Sequence, residues 1–129
     1  KAACRRELAE IERRRKAYLA GREVAPVAGR LAIVVDDGIA TGATTRAALQ
    51  ATRMRNPRRL VLAVPVAPTS TLQELGQDVD EIICLEDYAD FGAIGLYYAD
   101  FRQTSDSEVV ALLARHPVRQ PDHHASVRS

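Results

Sequence analysis

LAIVVDDGIATGATT, running from Leu31 to Thr45, places an apolar run, two adjacent carboxylates and a helix start in fifteen consecutive residues. Leu31, Ile33, Val34 and Val35 are continuously apolar rather than alternating, which predicts a strand buried on both faces. Asp36 and Asp37 then stand where the chain leaves the sheet. Gly38 to Thr44 supplies what an anion site needs: backbone N–H groups beside small side chains, the hydroxyls of Thr41 and Thr44, and the positive end of a following helix. A bare phosphate would be repelled by the two carboxylates. They suit sugar hydroxyls, or a Mg²⁺ ion with its waters. The plainer alternative is that the Asp pair forms a turn and caps the next helix, yet a cap needs neither a second carboxylate nor the small loop.

Working outward, Cys4, Leu8, Ile11 and Tyr18/Leu19 recur at helical spacing, predicting a helix from Ala3 to Leu19 with a stop at Gly21. The loop leads into a helix from Thr41 or Thr44 to Arg55, ended by Asn56-Pro57. A strand follows at Leu60 to Val66, a short helix at Ser70 to Leu75, and a third strand at Val79 to Leu85. Glu86 to Gly95 reads as irregular. Ser105 or Asp106 caps a last helix to Arg115, in the pattern S-D-S-E before VVALL. Strands alternating with helices predict an α/β fold, a three-layer parallel sheet flanked by helices with right-handed crossovers. Ligands of such sheets bind outside the carboxyl ends of the strands, which is where Asp36 and Asp37 fall.

IVVDDGIATGAT resembles the phosphoribosyl-pyrophosphate (PRPP) loop of the type I phosphoribosyltransferases, where two acidic residues precede a T-G-x-T turn. The form DDGIATGAT is similar to a branch of that family with undefined acceptors, and YADFRQTSDSEVV, Tyr98 to Val110, resembles the end of the same branch. The resemblance implies that Asp36 and Asp37, as the catalytic pair, meet the ribose hydroxyls. It implies that Ala40, Thr41, Gly42, Ala43 and Thr44 form the phosphate cradle, with Gly38 also in the PRPP site. One departure is Gly38, where the family has an aliphatic residue or Ser. Another is Ala40, where several members carry an acidic base. The implied reaction displaces pyrophosphate from ribose C1 with a nitrogen nucleophile, with Mg²⁺ as the cofactor on the leaving pyrophosphate. No protein side chain is assigned to the metal. The rival within the fold is a non-catalytic PRPP- or nucleotide-binding regulatory module.

The resemblance also implies a sheet of about five strands with an upstream pyrophosphate loop, whereas only three strands are legible here. The expectation is therefore the C-terminal part of a longer protein, with Lys1 rather than Met at position 1 in agreement, and an incomplete sheet edge favouring a homo-oligomer. The expected organisation is a basic helix and linker at 1–30, the α/β domain at 31–116 and a polar tail at 117–129.

Composition narrows the alternatives. With 129 residues, 47% of them hydrophobic, one domain with a real core is expected. No stretch is apolar enough to span a membrane, no leader pattern opens the chain, and Cys4 and Cys84 match no metal or redox spacing, so a cytoplasmic protein with Cys84 as a reduced core thiol is expected. Residues 1–30 hold nine Lys/Arg against four Glu, a balance of +5 against −4 for the other 99 residues. Nucleic acid is one reading of that excess; a solvated helix face without interleaved aromatics is the preferred one. Tyr97, Tyr98 and Phe101 could stack on a base or belong to the core. His116, His123 and His124 lie past the folded pattern and are not read as metal ligands. A receiver domain is excluded because LVLAVPV ends without an Asp and both lysines, Lys1 and Lys16, precede the acidic pair. Neither a Walker G-x-x-x-x-G-K-[ST] nor a Rossmann G-x-G-x-x-G occurs.

Overall fold

The computed structural model describes residues 2–19, 24–90 and 92–116. The elements in chain order are α1 (Ala2–Leu19), β1 (Leu31–Val35), α2 (Ala43–Arg53), β2 (Arg59–Pro68), α3 (Thr69–Leu75), β3 (Glu81–Tyr88), a 3₁₀ turn (Ile94–Tyr97) and α4 (Asp106–Arg115). Every expected helix and strand is present. The expected stop at Gly21 and the tail from Pro117, with His123 and His124, lie outside the described residues, as do the side chains of Cys4 and Leu8. Among the described residues no helix is long and apolar enough to cross a membrane.

The chain forms two compact units, Pro26–Phe101 and, separately, Lys1–Ala25 with Arg102–Ser129. In the first, all strands run parallel in the order β1-β2-β3. Leu31 pairs with Arg59 and Val35 with Ala63, while Val61 pairs with Glu81 and Pro68 with Tyr88. The register places Ala32 and Val34, Leu60, Leu62 and Val64, and Ile82 and Cys84 on one face. That face carries the core, closed by Leu49 of α2, Leu75 of α3 and Ile39 of the loop. Burying these aliphatic side chains is the main favourable term in forming the unit.

The other face corrects the reading of β1. Leu31, Ile33 and Val35 are exposed while Ala32 and Val34 are half-buried, so the strand alternates instead of being buried on both faces. Ile83 and Leu85 of β3 are exposed as well. The reason is position: β1 is an edge strand, and α2 and α3 cover only the face that holds the core. Continuous apolar character is an attribute of the sequence; it becomes two-sided burial only where both faces are covered. The third strand also reaches further than expected, taking in Glu86 to Tyr88. Cys84 behaves as expected: it is a half-buried free thiol packed against the core, its Sγ 3.2 Å from the Glu86 carbonyl, and burial raises its pKa.

In the second unit α1 and α4 meet. Tyr18 Oη donates to Asp106 Oδ1 at 2.6 Å and Arg13 pairs with Asp106 Oδ2 at 2.7 Å. Arg13 and Arg14 also pair with Glu10, and Arg15 with Glu12, so several of the basic residues of α1 meet acidic partners on or beside their own helix. The capping box read from S-D-S-E is formed: Ser105 Oγ accepts from Glu108 N, and Glu108 Oε2 accepts from Ser105 N at 2.8 Å. Arg102 and these Ser105 contacts hold the Glu108 carboxyl down at about 2.

Candidate functional site

The acidic pair sits beyond the carboxyl end of β1, on the strand edge where parallel sheets receive ligands. Sheet bonding continues past the strand. Asp36 N donates to the Ala63 carbonyl at 3.3 Å and Ile39 N to the Val66 carbonyl at 3.2 Å. With Ile39 buried in the core, the loop is pinned to β2 at two points before α2 begins. Asp37, Ala40, Thr41, Ala43 and Thr44 are exposed along it, and Gly38 and Gly42 are buried.

Both buried glycines have a steric reason. Gly42 adopts φ +75°, and a Cβ there would lie 2.8 Å from Thr71 Cγ2 of α3. Left-handed backbone and close approach together require glycine. Gly42→Ala is expected to cost about 2 kcal/mol of stability, read from the urea midpoint. A midpoint equal to the parent's would contradict this account of the loop. At Gly38, the departure from the family pattern, a Cβ would lie 2.6 Å from Ile94 Cγ2. The 3₁₀ turn therefore occupies the space a larger residue would need.

That turn is anchored on both sides. Tyr97 packs against Tyr88, at the end of β3, with ring centroids 4.9 Å apart. The Tyr98 hydroxyl donates to the Asp37 carbonyl, and its ring packs on Phe101 at 5.0 Å. The aromatic residues thus have one another as partners, and Tyr98 ties the segment to the acidic pair. The sequence supplies the aromatics but no periodicity that would bring residue 98 back to residue 37.

The two carboxylates differ in their surroundings. Asp36 Oδ2 accepts from Thr45 Oγ1 at 2.9 Å, and Asp36 Oδ1 lies 3.4 Å from Gly38 N. Although Asp37 is exposed as a residue, partial desolvation of its carboxyl, then the neighbouring charge of Asp36 and a hydrogen bond with it, pushes that carboxyl above its ordinary range. Neither aspartate caps α2. Its N-cap is Gly42, with no side-chain cap, so the first N–H groups of Ala43, Thr44 and Thr45 have no partner within the helix. Thr45 was not among the residues singled out from sequence; its position just past the T-G-x-T turn gave no signal beyond an ordinary helical Thr. Among the described residues no group of three or more His, Cys, Asp or Glu is arranged to hold a metal ion.

With this geometry in view, the chain can be compared with known proteins. No protein-family model matches it. Over 111 residues it is 46% identical to proteins of two Mycobacterium tuberculosis strains that bear the name "Putative phosphoribosyl transferase". That name agrees with the family the loop resembles. The match takes in 86% of this chain but 25% of each relative, so the chain spans about a quarter of their length. TT1426 from Thermus thermophilus, a solved structure, is 40% identical with a TM-score of 0.74, over 79% of this chain and 49% of that one. The α/β arrangement with its parallel sheet is therefore shared with an experimentally determined protein.

Proposed function

We propose that this chain carries the PRPP-binding part of a type I phosphoribosyltransferase, a protein that transfers the 5-phosphoribosyl group from PRPP to a nitrogenous acceptor and releases pyrophosphate. The observation that carries the proposal is the placement of DDGIATGAT. It puts an acidic pair, a glycine-shaped loop and a helix start together at the carboxyl end of an edge strand, in a chain whose relatives bear the phosphoribosyl transferase name.

On this proposal Asp36 and Asp37 accept from the ribose hydroxyls, and the loop from Ala40 to Thr44 surrounds the 5′-phosphate. The acceptor nitrogen forms a bond to C1 as the C1–O bond to pyrophosphate breaks, and the nitrogen then gives up a proton. Positive charge gathers on the ribose ring as the leaving group departs, and two nearby carboxylates favour it. The 5′-phosphate is remote from C1, and gripping it holds C1 in line for the acceptor. On this proposal Mg²⁺ belongs to the substrate, as the ion on the pyrophosphate. Ala40 cannot act as the base for the acceptor, so the proton passes to another group.

Thr41 is exposed in the loop, and its hydroxyl is assigned to the phosphate. Thr41→Val is expected to weaken PRPP binding by about 2 kcal/mol, the scale of a hydrogen bond to a charged group. Calorimetric titration checks it, and an unchanged affinity would remove Thr41 from the cradle. Incubating the chain with PRPP, Mg²⁺ and a panel of nucleobases while following pyrophosphate tests the transfer itself. Release dependent on one base is the expected result. Binding without release for any acceptor would favour the regulatory module of the same fold.

A further inference from the structure

Thr45 is 4% exposed, the one polar residue among the buried residues described, and it lies in the first turn of α2. A threonine inside a helix can return its hydroxyl to the carbonyl four residues back, as Thr52 does to Ala48 at 2.8 Å; for Thr45 that residue is Thr41, ahead of the helix. Thr45 instead donates across the loop to Asp36 Oδ2, nine residues earlier, at 2.9 Å. Valine has nearly the same shape and would fill the pocket without a hydroxyl to satisfy. Packing alone therefore does not account for the hydroxyl; the carboxylate it holds does. With Gly38 N near the other oxygen, the Asp36 carboxylate has a protein contact at each end.

We propose that Thr45 is a positioning residue of the ribose site, orienting Asp36 so that its remaining lone pairs meet the sugar's cis-diol while Thr45 itself touches no ligand. The inference rests on the PRPP reading and deepens it. An Asp on a loop can rotate about two side-chain bonds; one anchored by a buried hydroxyl is held for two adjacent hydroxyls, and the freedom is lost on folding rather than on binding. Recognition of the diol should then depend on Thr45, whereas recognition of the phosphate by residues 40–44 should not.

The test uses the full chain, its Thr45→Val and Thr45→Ser variants, and two probes: PRPP with Mg²⁺, and inorganic phosphate followed by the amide signals of Thr41 to Thr44. Thr45→Val is expected to lose about tenfold in PRPP affinity. Its phosphate affinity should equal the parent's, and Thr45→Ser should recover PRPP binding. A Thr45→Val variant that binds PRPP like the parent overturns the inference. Equal losses for both probes overturn it too, because they mean a loosened loop rather than a misdirected carboxylate. A parent that binds phosphate but not PRPP rejects the reading beneath it, and the inference with it. Should Thr45→Val fail to give the parent's circular dichroism, Thr45→Ala takes its place with the same expected outcomes.

Discussion

Asp36→Asn combined with Asp37→Asn should abolish PRPP binding and leave the protein folded. Asn keeps the shape of Asp. With its one carbonyl oxygen toward the Gly38 N–H, its amide NH₂ can donate to the Thr45 hydroxyl oxygen, so the side chain keeps a partner at each end although the Thr45 bond reverses direction. What disappears is the charge. Each ribose hydroxyl then meets a weaker acceptor, and the ring loses the negative environment that the proposed chemistry uses. Folding should not suffer, and Asp37 gives the reason. Its carboxyl is raised above the ordinary range by partial desolvation and by Asp36, so the folded state holds that proton more tightly than the unfolded one. Stability from this group is therefore greatest in acid and falls as pH rises from the unfolded pKa through the folded one. At neutral pH the paired charges oppose folding, and the double variant should melt no lower than the parent. Retained PRPP affinity would refute the ribose assignment; a collapsed circular dichroism spectrum would refute the claim that the pair serves ligand rather than fold.

Leu62→Ala should destabilise the chain by about 3 kcal/mol, within the range for truncating a fully buried leucine. Leu62 lies at the middle of the central strand, is 0% exposed, and belongs to the core cluster with Leu49, Leu60 and Leu75. The matching control is Val35→Ala in β1. Val35 is 75% exposed on the open face, so its truncation should fall within about 0.5 kcal/mol of the parent. Urea unfolding of the two variants decides between one covered face and two. Similar large losses would restore the two-sided burial that the apolar run of β1 predicts.

That contrast shows where the sequence was legible and where it was not. The capping box at Ser105–Glu108, the helix ending near Asn56-Pro57 and the parallel order of three strands follow from local rules, because caps, prolines and periodicity act within a few residues. The carboxyl-end position of Asp36 and Asp37 follows too, since it needs only the direction of one strand. Burial of β1 did not follow, because it depends on which elements cover the sheet. The same holds for the links that shape the site. Ile94 filling the space beside Gly38, Tyr98 donating to the Asp37 carbonyl, and Tyr97 against Tyr88 all join residues distant in the chain or in separate elements. The Thr45–Asp36 bond spans only nine residues, yet periodicity does not record where a buried hydroxyl points.

If DDGIATGAT in this chain is a working PRPP loop, the folded chain binds PRPP through Asp36 and Asp37. Calorimetric titration of the folded 129-residue chain with PRPP in the presence of Mg²⁺ tests it most directly. Saturable binding of micromolar strength that the Asp36→Asn/Asp37→Asn variant lacks is the expected result. No heat of binding from a chain with the parent's cooperative melt, or equal binding by parent and double variant, would contradict it.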